Sequence, residues 1–220
     1  MEPNPPRSSY ATLGCYADAE WPEKKSVFIA WASPITSEKD AMDLVARARS
    51  RYPDAGHHVY AWILGGNDRR SRHTDDGEPS GTAGLPLLET LLRNNLEDAI
   101  IVVTRYFGGT LLGTGGLLRA YTSAAAQAVQ RAGLAFYRRS IVYDCTAEYA
   151  DFEKIRRAVH ELGGVIDVSE YGEKVRFIAA LDDGQKEALL PAINDAGCGR
   201  ASVLSVETRL IRTAGSGAVP

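Results

Sequence analysis

Cysteine is scarce. Cys15, Cys145 and Cys198 are the only three in 220 residues, odd in number and far apart, with no CxxC pair. That pattern excludes a disulfide framework, argues against a zinc site and fits a reducing compartment. Long hydrophobic runs are missing too. No apolar stretch approaches the roughly 20 residues that cross a bilayer as a helix. The opening residues, Met1-Glu2-Pro3-Asn4-Pro5-Pro6-Arg7, contain no apolar core of the signal-peptide kind. The expectation is a cytoplasmic protein without a membrane partner. An excess of one charge is also absent. The formal net charge is −3, with 16 Lys/Arg against 15 Asp/Glu in residues 1–139 and 9 against 13 in residues 140–220. Neither half carries the coat of cations that binds polyanions indiscriminately, although a local basic patch remains open.

What is present is an ordinary globular balance, 45% hydrophobic and 24% charged, in a chain long enough to bury a core without staples. Residues 1–23 hold four prolines and no period, and read as a tail and connector with a short strand near Tyr10–Leu13. Residues 26–32 form a strand. Ser37 or Thr36 caps a helix reaching Tyr52, with Ala41, Leu44, Val45 and Ala48 at helical spacing. Residues 58–64 form a second strand. Residues 65–84 have no apolar period, and a loop of that length in a compact domain is functional or disordered. A short helix over 85–95 and a continuous apolar strand over 99–104 come next. The glycine-rich segment 107–116 then feeds a long Ala-rich helix over 117–132, closed by Gly133.

Beyond Arg138-Arg139 the character changes. A strand over 141–148, a helix over 151–162, strands over 164–169 and 173–181, a helix over 184–196 and a strand over 201–210 give β-α-β-β-α-β, the ferredoxin-like order. The chain therefore divides into a tail and connector (1–23), an α/β domain (24–138), a ferredoxin-like domain (139–212) and a flexible tail (213–220). The fold class is α+β in two domains.

Ten of the 21 glycines fall between Gly65 and Gly116. Glycine costs backbone entropy, so this density implies backbone that approaches something closely. The amides of Gly113, Thr114, Gly115 and Gly116 open a helix and could converge on an anion. The competing reading is tight turns and close packing. The segment is neither a Walker loop nor a dinucleotide fingerprint. Asp75, Asp76 and Glu78 could bind a hard cation or act as acid and base, or else cap local amides. Arg105 leaves the end of a central strand and could clamp an anion, or pair internally with Asp75, Asp76 or Glu78. Alternation places His57 and His58 on opposite faces. The basic clusters are Lys24-Lys25-Ser26 and Arg69-Arg70-Ser71-Arg72. Trp31, Trp62, Tyr106 and Phe107 could stack bases or fill the core.

Asp75–Gly84 (DDGEPSGTAG) and Arg105–Tyr121 (RYFGGTLLGTGGLLRAY) resemble the two diagnostic stretches of the YigZ/IMPACT family, an uncharacterised protein family with an IMPACT-type N-terminal domain. His57-His58 and Lys25-Ser26 stand at matching positions. The specific resemblance covers residues 24–132, and residues 140–210 resemble the smaller C-terminal domain of bacterial members. The resemblance implies an N-terminal domain like domain 2 of a small-subunit ribosomal protein, and a second like the ferredoxin-like last domain of elongation factor G. Both point toward translation. Eukaryotic relatives restrain a starvation-activated initiation-factor kinase by competing for its activator, and they carry an accessory domain this chain lacks.

The preferred expectation is a translation-related regulator that binds RNA, ribosome or a translation factor through a glycine-rich anion pocket. The alternative is an enzyme taking a phosphate ligand at Asp75, Asp76, Glu78 and Arg105. The ligand-binding candidates are Lys25, Ser26, His57, Asp75, Asp76, Glu78, Ser80, Thr82, Arg105, Gly108, Gly109, Gly113, Gly115, Gly116 and Arg119. No cofactor and no metal are called for, and the catalytic residues and oligomeric state are not legible.

Overall fold

The computed structural model describes residues 9–66 and 68–213. They divide into two compact units, with the boundary between Phe136 and Tyr137. No described helix is long and apolar enough to cross a membrane.

In the first unit, an antiparallel sheet runs in the order β2 (Ala17–Glu23), β3 (Ser26–Pro34), β6 (Ala99–Tyr106), β4 (His57–Leu64), β5 (Arg70–Thr74). The central strand β6 is buried almost throughout, which is why its sequence is continuously apolar. Its side chains still alternate. Ile100 and Val102 meet Trp31, Tyr60, Trp62 and the apolar stripe of α1 (Glu38–Arg51). Ala99, Ile101 and Val103 face the other way, toward Leu87 and Leu91 of α2 (Gly84–Arg93) and the alanines of α3 (Gly113–Ala132). The sheet is thus the middle layer of three. Ser37 caps α1 by accepting from Asp40 N–H, and Gly133 closes α3 at φ 63°. Short β1 (Ser9–Leu13) ends where Gly14 N–H donates to the Gly133 carbonyl.

Three elements depart from the sequence reading. β2 lies inside the segment expected as tail and connector. It is an edge strand containing Pro22, with only Ala19 fully buried, so it lacks an apolar period. β5 lies inside the segment expected to be a loop. Its RSRHT sequence is nearly all exposed and is held by backbone pairing to β4. Finally, α3 begins at Gly113, so three glycines expected in a loop form its first turn.

The second unit runs β7 (Leu134–Ala147, which enters from the first unit), α4 (Tyr149–Glu161), β8 (Val165–Tyr171), β9 (Val175–Asp182), α5 (Lys186–Ala196) and β10 (Ser202–Thr213). Here β8 pairs with β9 and β9 with β7, both antiparallel, and β10 also pairs with β7. Tyr143, Cys145, Phe177 and Ala179 pack against Phe152, Ile155 and Val159 of α4 and Leu189 and Ile193 of α5. Burial pushes the Cys145 thiol up to about 12, which leaves it an inert core residue. The expected tail falls almost wholly on residues 214–220, outside the described residues.

Candidate functional site

The site stands at one end of the first sheet, on the face that α2 and α3 cover. Strand register puts Phe28, Arg105 and His57 side by side on β3, β6 and β4. The 75–84 loop crosses this end, and its folding begins with Asp75. The Asp75 carboxylate accepts from Gly81 N–H at 2.9 Å, Ala83 N–H at 3.1 Å and Gly84 N–H at 2.8 Å. It closes the loop and stabilises the start of α2, where α2 has no side chain of its own as a cap. Burial acts to raise the Asp75 pKa, but the three amides outweigh it, and the carboxyl lies below its usual range.

Asp76 sits at φ 44° and ties the same loop to β4 and α1. Its carboxylate accepts from His58 N–H at 2.7 Å and from Arg49 at 2.7 Å. Burial opposes ionisation here too, and these two donors override it, so the Asp76 pKa is also lowered. The Asp76 carbonyl accepts from His57 Nδ1 at 2.8 Å. His58 points to the opposite face and hydrogen-bonds Thr104 Oγ1 at 3.0 Å. Burial, then Arg49, depress its pKa against the pull of Asp76.

Glu78 turns inward. Its Oε1 accepts from Arg105 Nη1 at 2.6 Å and from the Tyr121 hydroxyl at 2.7 Å, with His57 Nε2 at 3.8 Å. Both partners of the ion pair are buried. The Arg105 guanidinium lies between the rings of Phe28 and Phe107, 5.4 and 5.6 Å from their centroids, and its Nη2 reaches Ser26 Oγ at 3.5 Å. Burial, then Glu78, raise the Tyr121 pKa far above the phenol range, so the hydroxyl stays a donor. Of the three acids offered as partners for Arg105, the structure selects Glu78.

Ser26 links this network to the glycine-rich segment, since Gly108 N–H donates to Ser26 Oγ at 3.2 Å. A Cβ on Gly108 would stand 2.0 Å from the backbone carbon of Lys25. Close backbone approach is therefore the reason for that glycine. Gly109 and Gly113 are in left-handed conformations instead, at φ 78° and 70°. Lys24 and Lys25 form the two-residue β2–β3 turn with φ of 45° and 69°. Such turns favour Asn-Gly, because side chains there are strained.

Beside this turn, Trp21, Glu23, Lys24, Leu112, Gly116, Arg119 and Ser123 line a cavity of about 210 Å³. It lies at the first turns of α3, which contain no acidic residue and have no side-chain cap, and Glu23 is the one acid in its lining. Lys24, Lys25 and Arg119 make no ion pair among the described residues.

The sequence-predicted residues therefore fall into separate groups. Ser26, His57, Glu78, Arg105 and Gly108 meet in the buried network. Gly116 and Arg119 line the cavity, and Gly113 and Gly115 belong to the same helical turn. Asp75, Asp76 and Thr82 organise the loop, Thr82 Oγ1 donating to the Pro79 carbonyl at 2.6 Å, while Ser80 is exposed. Arg70 and Arg72 lie near Glu38, and Arg69 near Glu97. Trp31 and Trp62 are core, whereas Phe107 is 55% exposed. Sequence reasoning missed Tyr121 and Trp21 as site residues. A tyrosine inside an alanine-rich helix was the available signal, because a buried phenol needs a partner. Among the described residues no group of three or more His, Cys, Asp or Glu could hold a metal ion.

A mixed α/β chain of two units, with two motifs locked together by a buried Glu–Arg–Tyr network, defines a recognisable class. Residues 24–129 match the Impact N-terminal domain, and residues 145–200 match a domain of unknown function, DUF1949. The chain is 31% identical to the IMPACT family member YvyE of Bacillus subtilis, over 94% of this chain and 95% of that one. It is 34% identical to the IMPACT family member YigZ of Escherichia coli, over 84% and 91%. A crystal structure of a hypothetical protein, 30% identical, aligns with a TM-score of 0.59 over 91% of this chain and 98% of that one. The chain belongs to the IMPACT family.

Proposed function

We propose that this protein is a translation-related regulator that docks on RNA, the ribosome or a translation factor through an anion-binding pocket at the start of α3. The observation that carries the reading is the cavity of about 210 Å³ lined by Lys24, Gly116 and Arg119. Lys24 and Arg119, which make no ion pair among the described residues, and an uncapped helix start outnumber the single carboxylate of Glu23 there and favour a phosphate or carboxylate. Family membership supplies the link to translation. The β-α-β-β-α-β order of the second unit, with β9 and β10 both paired to β7 and β8 paired to β9, supports a ferredoxin-like reading of that unit. A likeness of the first unit to domain 2 of a small-subunit ribosomal protein belongs to the same proposal. The enzyme reading has less support. Asp75 and Asp76 are spent on backbone amides, and Glu78 and Arg105 on each other.

The test is binding of short labelled RNA and of purified ribosomes at low salt by wild type and by Lys24→Ala/Arg119→Ala. The expected result is association that weakens as salt rises and weakens further in the double variant. No association with either probe at low salt would sink the proposal.

A further inference from the structure

β10 spans twelve residues, Ser202–Thr213, and most of them are exposed. Among the described residues it pairs with β7 alone, so its other edge bears no strand. A bare edge of backbone N–H and C=O groups is a template for another strand. β10 contains no proline, and its charged residues are Glu207, Arg209 and Arg212. Leu204, Val206 and Leu210 are 54%, 53% and 38% exposed, and alternation puts all three on one face together with Thr208. Glu207 and Arg209 share the opposite face, Arg209 Nη1 lying 3.5 Å from Glu207 Oε1 with both side chains exposed.

We propose that β10 pairs antiparallel with β10 of a second copy of this chain, about a two-fold axis at Thr208. The symmetry leaves few choices. Identical antiparallel strands lying side by side are related by an axis perpendicular to the sheet, which must pass between a residue and its own copy. An axis at Glu207 or at Arg209 sets like charges directly opposite, which destabilises the pair. An axis at Val206 faces Glu207 with a serine, and one at Leu210 faces Arg209 with an isoleucine. With the axis at Thr208, Glu207 faces the partner's Arg209 and Arg209 faces the partner's Glu207. Val206 and Leu210 face each other twice, and threonine meets threonine at the centre. Each of these is a favourable cross-strand pair. Only this register pairs Glu207 with Arg209 and Val206 with Leu210 together, while further out Leu204 lies opposite the partner's Arg212 and Ser205 opposite the partner's Ile211.

The experiment is the mass of the full chain in solution by sedimentation equilibrium across a concentration series. Wild type is expected to approach twice the chain mass of 23.8 kDa. Glu207→Arg, which faces arginine with arginine, is expected to be a monomer. Glu207→Arg/Arg209→Glu restores the pairing and the dimer. Circular dichroism of each variant separates loss of pairing from loss of fold. A second arm needs no disruptive change. In a Cys15→Ser/Cys198→Ser background, Thr208→Cys is expected to cross-link to its own copy on mild oxidation, and Val206→Cys is not, because its counterpart is leucine. A wild type that stays monomeric throughout overturns the proposal. So does a dimer indifferent to the charge reversal, or one in which Val206→Cys cross-links as readily as Thr208→Cys.

Discussion

Glu78 and Arg105 come from the two halves of the motif and meet at 2.6 Å inside the first unit, with the Tyr121 hydroxyl on the same carboxylate oxygen. Neither charge has ready access to water, so each is held by the other. Removing one partner strands the other, at a cost of about 3–5 kcal/mol. Arg105→Ala should therefore lower the urea midpoint sharply. Glu78→Gln keeps an acceptor for Tyr121 and should cost less. Equal midpoints for wild type and Arg105→Ala would mean that the pair contributes nothing to stability.

The glycines should separate by cause. Gly108→Ala drives a methyl into the Lys25 backbone, and Gly84→Ala drives one to 2.5 Å from the Thr74 carbonyl oxygen. Both should be severely destabilised. Gly115 meets nothing within 4 Å and is not left-handed, so Gly115→Ala should gain about 0.5 kcal/mol through the unfolded chain. Thermal melts of the three proteins would check the order.

The Lys24-Lys25 turn holds two side chains in a backbone region that costs each roughly 1–2 kcal/mol. Replacing the pair by Asn-Gly should raise stability by about 1 kcal/mol or more. If the cavity beside Lys24 binds an anion, the same change should weaken RNA or ribosome binding. The expected signature is a higher melting temperature with a lower affinity. A variant that gains stability and keeps full affinity would remove this turn from the binding surface.

Acid should act through the loop carboxylates. Asp75 and Asp76 have folded pKa values below their unfolded ones. Their contribution is present above the unfolded value, about 3.9, and is lost as pH falls through the folded values. The folded His58 pKa is also depressed. For this base the neutral form is the one the fold favours. Its contribution is complete above about pH 6.5 and declines as pH falls toward the folded value. Stability measured from pH 8 to pH 3 should fall in two stages, and Asp75→Asn should shrink the acidic one. A wild-type curve flat from pH 7 to pH 5 would contradict the His58 stage.

Interior elements were legible where burial writes itself into the sequence. Ile100 to Val103 had to be a covered strand, and Ala41, Leu44, Val45 and Ala48 had to line one side of a helix. Arg70–Thr74 left no such trace, because its place in the sheet depends on backbone bonds to β4 that any side chains permit. The start of α3 was hidden for a related reason. Gly113, Gly115 and Gly116 are poor helix residues, and the buried stripe that anchors the helix begins only at Leu117. At the site, residue types alone could not tell ligand-binding carboxylates from loop-building ones. Asp75 and Glu78 are three apart, yet one meets three amides and the other an arginine and a tyrosine. The direction each turns is set by the loop's path, which no local pattern encodes.

The placement of β6 between β3 and β4 governs how this chain can be made. Val27 pairs with Tyr106, and His57 pairs with Arg105. The two strands synthesised earlier are thus joined only by one that emerges much later. Until residue 106 has left the ribosome, β3 and β4 each present an unpaired edge. The sheet face that α2 and α3 share is only partly covered until residues through Ala132 have emerged. Such long-range pairing folds slowly and exposes apolar surface while it waits. Nascent chains arrested before residue 99 should therefore be protease-sensitive, and those extending past residue 136 resistant once residue 136 has cleared the exit tunnel.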